Sequence, residues 1–369
     1  MKIVHVITRF NVGGTATWLT HLSDSTINAG HESFLLAGNV LNDEFEDSNF
    51  LEINGIRIRK LQQSMSPIGA FLAFTQIRRC IKKLRPDLVN THTSFAGLVG
   101  RLAAASLMRN RPAIIHTVHG HVLNGYFGPI KKIIIVSVEK LLFRLTDLTL
   151  FSGKEVRRSF TFEVKIPEDK TALVSPGVPP SFSKIKQKVG KKTFTVGWLG
   201  RFAPIKNPDL AIEVAQLLPD IEFLFGGDGM LLDSCKRKAT PNCTFVGWTS
   251  AKDFWEMCDI ALLTSKNEAQ PISIIEAGLR GKPAVITPAG SAPEVVIHGQ
   301  TGLVSQFDAV KIKEAILKLK RSVALRKSMG HNAVEIYARE YSLDKQLSDH
   351  ISAYEKALEI RYGKKVYNP

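Results

Sequence analysis

No apolar run in the 369 residues approaches the roughly 20 that a membrane-spanning helix needs. The most apolar stretch, IIIVSV at 133–138, is closed on both sides by Lys131, Lys132, Glu139 and Lys140. The first residues, MKIVHVITRF, lack the long apolar core and small-residue cleavage site of a secretory signal. Cysteine is equally sparse: Cys80, Cys235, Cys243 and Cys258 have neither CxxC spacing nor nearby histidine pairs. That suggests neither a zinc site nor a disulfide framework and reads as reduced, buried thiols of a cytosolic protein. No Asp-x-Asp stands at the end of an expected strand, so no acidic metal clamp is expected, and the run DEFED at 43–47 reads as a solvated loop. There is also no RNA-binding signature and no block of interleaved aromatic and basic residues, so nucleic acid is not an expected partner.

What remains is an ordinary folded composition, 44% hydrophobic and 22% charged, in a chain long enough for two domains. The net charge of +15 is spread along it: residues 1–180 carry 22 Lys and Arg against 14 Asp and Glu, a surplus of eight, which leaves seven for the rest. An anionic membrane surface is one candidate partner for such a chain. Two helix-like segments, FLAFTQIRRCIKKLR (71–85) and KKIIIVSVEKLLFRL (131–145), combine an apolar stripe with clustered cations. A surface helix packing one face on a sheet is the commoner meaning of that pattern. The expected location is the cytoplasm, with peripheral attachment to the inner face of the plasma membrane as the variant this surplus suggests.

Short β-rich runs alternate with helical periods from the first residue: KIVHVIT, a helix over 15–29, ESFLLAG, IRIRKL, a helix over 69–84, DLVNTH, AIIHTVHG, a helix over 131–145, LTLFS and TALVSPG. The Pro- and Lys-rich stretch 176–192 interrupts the rhythm, which restarts with TFTVGWLG and runs through IEFLFGG, CTFVGW, DIALLT, PAVIT and GLVS. The expectation is α/β: two Rossmann-like doubly wound parallel-sheet domains facing across a cleft, at 1–178 and 193–345. Residues 179–192 form the linker, and a helix over 346–369 crosses back to the first domain. Ligands of such sheets sit outside the carboxyl ends of the strands, so chemistry belongs in the loops that follow them.

Six of those loops carry suitable groups. NEAQPISIIEAGLRGKPAVIT (267–287) places Glu268 in a loop and Glu276 in a short helix that Pro271 opens and Gly281 with Pro283 closes. The free amides within 270–273, Ile272 among them and Pro271 excepted, are suited to a ligand at a positive helix end, and the two carboxylates can accept from hydroxyls, as binding a sugar requires. VGWLGRFAPIKN (196–207) ends a strand in Gly200 and Arg201, with Lys206 five residues on, cations able to bridge a diphosphate and neutralise it as it leaves. Gly13 and Gly14 follow the first strand and permit close approach of an anion to a helix start. His119, before Gly120, ends another strand where it can donate or accept at a reacting centre, with His116 and His121 as alternatives. FLFGGDGM (223–230) adds a Gly-rich turn containing Gly227, and Glu294 follows the PAVIT strand. Taken singly, each has a plain reading as turn chemistry, a surface ion pair or a structural histidine.

In combination and order, these elements resemble the family 4 glycosyltransferases, retaining enzymes of the GT-B fold. The family's Glu-x7-Glu falls on Glu268 and Glu276, its Gly-Arg-x4-Lys on Gly200, Arg201 and Lys206, its glycine loop on Gly13 and Gly14, and its His-Gly pair on His119 and Gly120. The resemblance implies metal-independent transfer from a nucleotide-diphosphate sugar of UDP or GDP type, with no further cofactor. Arg201 and Lys206 would hold the diphosphate, Glu276 the ribose, Glu268 the sugar hydroxyls, and His119 would lie against the transferred sugar. Segments such as RPDLVNTHTSFAGLVGRLAA (85–104) resemble the bacterial members that build surface polysaccharide, which implies a glycan or lipid-linked saccharide as acceptor. Most members have glycine after the first glutamate, where this chain has Ala269 and then Gln270. Two other readings of the fold are a nucleotide-sugar epimerase and a non-catalytic nucleotide-sugar-binding relative.

Overall fold

Strand and helix alternate along the whole chain in the computed structural model, which describes residues 1–41, 45–61, 66–120, 128–183 and 193–363. The chain divides into two units, Met1–Gly177 with Leu343–Pro369, and Val178–Ser342.

The first unit is a parallel sheet of β1 (Lys2–Arg9), β2 (Glu32–Gly38), β3 (Gly55–Arg57), β4 (Leu88–His92), β5 (Ala113–Val118), β6 (Leu148–Phe151) and β7 (Thr171–Leu173), in the order β3-β2-β1-β4-β5-β6-β7. Every residue of β4 and β5 is buried, as expected for strands covered by helices on both faces. The covering helices are α1 (Gly14–Asn28), α2 (Pro67–Leu84), α3 (Ser94–Ala105), α4 (Pro129–Phe143) and α5 (Lys154–Val164).

The second unit holds β8 (Thr195–Leu199), β9 (Glu222–Gly226), β10 (Cys243–Gly247), β11 (Ile260–Leu263), β12 (Ala284–Ile286) and β13 (Gly302–Val304), again parallel, in the order β10-β9-β8-β11-β12-β13. Its helices are α6 (Pro208–Gln216), α7 (Leu232–Lys238), α8 (Ala251–Glu256), α9 (Ile272–Leu279), α10 (Ala292–Val295), α11 (Ala309–Arg321) and α12 (Val323–Glu340). The aromatics Trp198, Phe202, Phe223 and Phe225 anchor its core. The last helix, α13 (Leu343–Tyr362), packs with the first unit, where Gln346 donates to the carbonyl of Trp18 and Asn90 donates to the hydroxyl of Tyr354.

In each sheet the strand order reverses once, between β1 and β4 and between β8 and β11. The reversal opens a crevice at the carboxyl ends of those strands. Some boundaries differ by a few residues from those expected, and some expectations fall outside the described residues. The chain passes to the second unit at Val178 and back at Leu343, three residues before the expected crossing helix at 346. Residues 184–192 of the expected linker, 42–44 of the acidic loop and His121 lie outside the described residues, while Glu46 pairs with Arg57 at 2.6 Å. The thiols are free, but only Cys235 and Cys258 are buried; Cys80 and Cys243 are half-buried.

Three helices are absent from the periodicity reading: α3, α5 and the four-residue α10. In α3 the glycines lower helix propensity and pack where a side chain does not fit: a Cβ at Gly97 would lie 2.6 Å from the His116 ring, and one at Gly100 would lie 2.8 Å from Thr91. In α5 only Val156, Phe160 and Val164 are buried, a stripe too narrow to stand out among its charges.

Candidate active site

Gly200 directly follows β8, and its amide donates to the carbonyl of Gly226 at the end of β9. Gly227, at φ 115°, passes so close to this loop that a Cβ there would lie 2.1 Å from the Gly200 carbonyl oxygen, so only glycine fits. The next residue, Asp228, accepts from the Phe202 amide, and Phe202 is fully buried against Trp198 at 4.9 Å between ring centres. Arg201 is thus held between two fixed residues while its own side chain is exposed. Its side chain has no hydrogen-bond or ion-pair partner among the described residues, so its donors are available to a ligand.

The turn that ends in Lys206 is tied to β11. Thr264 accepts from the Trp198 indole N–H and donates to the carbonyls of Lys206 and Asn207, and the Lys266 amide donates to Ile205. Immediately beyond lies Glu268, 9% exposed. Its Oε1 accepts from Lys206 Nζ at 2.5 Å and from Ser265 Oγ at 2.6 Å. No hydrogen bond among the described residues reaches Oε2, which leaves a charged acceptor open to a ligand hydroxyl. Lysine has three N–H donors, so Lys206 can keep this pairing and still donate to a phosphate oxygen.

Pro271 caps α9 rather than occupying its first turn, and the amides of Ile272 and Ser273 have no backbone acceptor among the described residues. Non-glycine residues with positive φ do not include Ala269, so the alanine is accommodated without left-handed strain. Glu276 lies about one turn into α9, half-buried, and burial pushes its carboxyl up to about 8. Near neutral pH it is therefore mostly protonated in the free protein. A pair of hydroxyls donating to it would favour the ionised form, so a ligand held in that way would bind more tightly as pH rises toward 8.

In the first unit, Gly13 (φ 153°) caps α1, in a backbone region that is essentially glycine's own, and Gly14 begins the helix. His119 follows β5 and is half-buried, with Nε2 against His92 Nδ1 at 2.7 Å and its ring edge-to-face with Trp18 at 5.0 Å. His116 turns inward instead, its Nδ1 on Thr91 Oγ1 at 2.9 Å, which makes it a structural residue. The supporting groups escaped the sequence reading: Thr264 and Ser265 in unit two, and His5, His92 and Trp18 in unit one. His5 and His92 are signalled only as polar residues inside apolar strands; Thr264 and Ser265, just past β11, and Trp18, in α1, carry no signal in the spacing.

These loops match known proteins along almost the whole length. The family model described as Glycosyltransferase Family 4 matches residues 12–182, and that described as Glycosyl transferases group 1 matches residues 181–335. The chain belongs to the family 4 glycosyltransferases. Among curated relatives, the UDP-Gal:alpha-D-GlcNAc-diphosphoundecaprenol alpha-1,3-galactosyltransferase of Escherichia coli is 25% identical over 67% of this chain and 68% of its own length. The capsular polysaccharide biosynthesis glycosyltransferase CapM of Staphylococcus aureus is also 25% identical, over 70% of this chain and 74% of its own. HepE of Anabaena, solved in complex with UDP and glucose, superposes with a TM-score of 0.80 at 18% identity, covering 96% of this chain and 99% of that one. The fold of this family 4 member is therefore GT-B.

Proposed function

We propose that this family 4 member moves a sugar from a nucleoside-diphosphate donor of UDP or GDP type to a hydroxyl of a glycan or lipid-linked saccharide in surface-polysaccharide synthesis. The observation that carries the reading is an unpartnered Arg201 on the same strand-end crevice as the Lys206–Glu268 pair, whose second carboxylate oxygen is open. Cations and helix-end amides neutralise the diphosphate without a metal, and the carboxylates bind hydroxyls of ribose and sugar. Transfer then proceeds on one face with retention. The bond from the anomeric carbon to the diphosphate oxygen breaks, the acceptor oxygen bonds to that carbon, and the acceptor's proton passes to the departing phosphate. No side chain need act as nucleophile.

An epimerase of similar fold would convert a nucleotide sugar without an acceptor. Incubating the purified protein with UDP- and GDP-sugars, with and without a lipid-linked saccharide, distinguishes the two. Sugar transferred only when acceptor is present is the expected result; an altered nucleotide sugar in its absence contradicts it.

Among the described residues no helix is long and apolar enough to cross a membrane. An anionic bilayer is nevertheless part of the proposal, because α4 turns an apolar stripe outward. Ile130, Ile133, Ile134 and Leu141 share one helical face and are 57–75% exposed, with Lys131, Lys140 and Arg144 exposed around them. The opposite face buries Val136 and Leu142, and its Glu139 pairs with Arg101 at 2.8 Å. That inner packing is what a surface helix on a sheet requires. The outer stripe serves nothing in the fold, and its basic margin complements acidic headgroups. Co-sedimentation should show the protein on vesicles of phosphatidylglycerol and phosphatidylcholine but not of phosphatidylcholine alone. The Ile133→Asp/Ile134→Asp protein should lose at least about tenfold in affinity, the equivalent of about 1.4 kcal/mol. Equal binding by both proteins would contradict the assignment. The outward apolar residues of α2, Ile68 and Phe71, are separate from its buried stripe of Ala73, Ile77 and Ile81.

A further inference from the structure

Three histidines from three neighbouring strand segments form a chain in the first unit. His5 in β1 and His92 at the end of β4 are fully buried, and His119 follows β5. His5 Nδ1 lies 3.0 Å from His92 Nε2, and His92 Nδ1 lies 2.7 Å from His119 Nε2. At the far end, His5 Nε2 is buried with no hydrogen-bond partner among the described residues. At the near end, no hydrogen bond among the described residues reaches His119 Nδ1.

A neutral imidazole carries one N–H and one bare nitrogen. His92 sits between two ring nitrogens, so it donates to one neighbour and accepts from the other. The chain can therefore run in only two directions. With protons pointing toward His119, His5 Nδ1–H donates to His92, His92 Nδ1–H donates to His119 Nε2, and His119 keeps its own proton on Nδ1. With protons pointing away, His119 Nδ1 is bare and the final proton sits on His5 Nε2, buried and without an acceptor. The two arrangements differ in what is stranded at the bottom: a bare nitrogen in the first, an N–H in the second. Orphaned buried N–H groups are the rarer of the two in folded proteins. A charged ring does not resolve the choice, because imidazolium on His5 strands the same N–H. Burial also pushes His5 and His119 down to about 3 and His92 well below its ordinary value, so the rings are neutral in the physiological range.

We infer that His5 and His92 are positioning residues that hold His119 in the tautomer protonated on Nδ1, so that this nitrogen offers a hydrogen-bond donor to an oxygen of the transferred sugar. This rests on the reading of His119 as a sugar-facing residue. Trp18, edge-to-face with both His119 at 5.0 Å and His350 at 5.8 Å, fixes the plane of the ring whose proton the chain sets.

The test is nitrogen NMR on the full-length protein labelled with 15N-histidine, with the His119 signals identified by their loss in His119→Asn. The expected spectrum has a protonated Nδ1 and a bare Nε2 on His119. His92→Asn, whose amide N–H can stand where Nδ1–H stood, should preserve this tautomer. His92→Leu, which removes the donor, should move the His119 proton to Nε2, lower kcat roughly tenfold, about the worth of one neutral hydrogen bond, and leave the donor KM within about twofold. A wild-type His119 protonated on Nε2, or a tautomer unchanged in His92→Leu, overturns the inference. The wild-type spectrum decides even if His92→Leu does not fold. Failure of the underlying reading looks different: a His119→Ala protein with undiminished transfer would show that His119 does not serve the sugar, whatever its tautomer.

Discussion

Arg201→Ala should lower kcat/KM for sugar transfer by about a hundredfold to a thousandfold, the usual effect of removing one preorganised group that meets developing charge. It should do so without unfolding the protein. The side chain is exposed and has no partner among the described residues, so its removal breaks nothing. Its backbone stays in place, because the neighbouring Gly200 and Phe202 amides are bonded to Gly226 and Asp228, and Phe202 is fully buried. Arg201→Lys should recover part of the loss, since a point charge replaces a planar fork that matches phosphate geometry. Lys206 differs in kind: it is bonded to the largely buried carboxylate of Glu268 at 2.5 Å. Lys206→Met should cost both activity and stability, because it leaves Glu268 with Ser265 as its remaining donor among the described residues. Steady-state rates beside thermal melts separate the two variants. Equal stability losses in both would contradict the distinction.

Acidification should unfold the first unit while the second still holds. Burial keeps His5 near 3 and His350 near 4, and holds His92 and His116 well below the ordinary value of 6.5. The folded values are depressed, so below pH 6.5 the unfolded chain binds more protons and stability falls as pH falls. Each such group removes about 1.4 kcal/mol per pH unit until its folded value is reached. His5 and His350 alone remove about 3 kcal/mol per unit, against a typical total of about 5–15 kcal/mol, which places unfolding between about pH 5 and 4. The second unit carries the opposite trend: Glu276 is raised from 4.5 to about 8, so its contribution weakens as pH rises through that window. Hydrogen exchange followed by mass spectrometry should show β4 and β5 losing protection before β8 and β11. Simultaneous loss, or a first unit still protected at about pH 3.5, would contradict the prediction.

The fold was legible because its signals are local. Fully buried parallel strands appear as continuous apolar runs, and Pro271 and Gly281 bracket α9 within a residue or two of the expected ends. The residues proposed to hold the donor were placed for the same reason, since Gly200, Arg201, Lys206, Glu268 and Glu276 lie on strand-end loops or in the helix that follows. What holds them was not. Thr264 acts on Lys206 across 58 residues of chain, and His5 reaches His92 across 87. Spacing cannot report a hydrogen bond between residues that only the sheet brings together. A histidine inside an apolar strand such as KIVHVIT is as compatible with a satisfied core residue as with a relay. The thiols show the same limit, because the burial of Cys243 depends on its place in edge strand β10, which composition does not reveal.

Calorimetric titration with nucleoside, nucleoside monophosphate and nucleoside diphosphate, in buffer containing EDTA, measures most directly whether cations of the second unit hold a pyrophosphate. Wild-type protein should prefer the diphosphate to the nucleoside of the same base by at least about a hundredfold, close to 2.7 kcal/mol, with no metal present. The Arg201→Ala/Lys206→Ala protein should bind all three about equally. A preference for diphosphate that survives the double substitution, or that appears only when a divalent cation is added, would contradict the account.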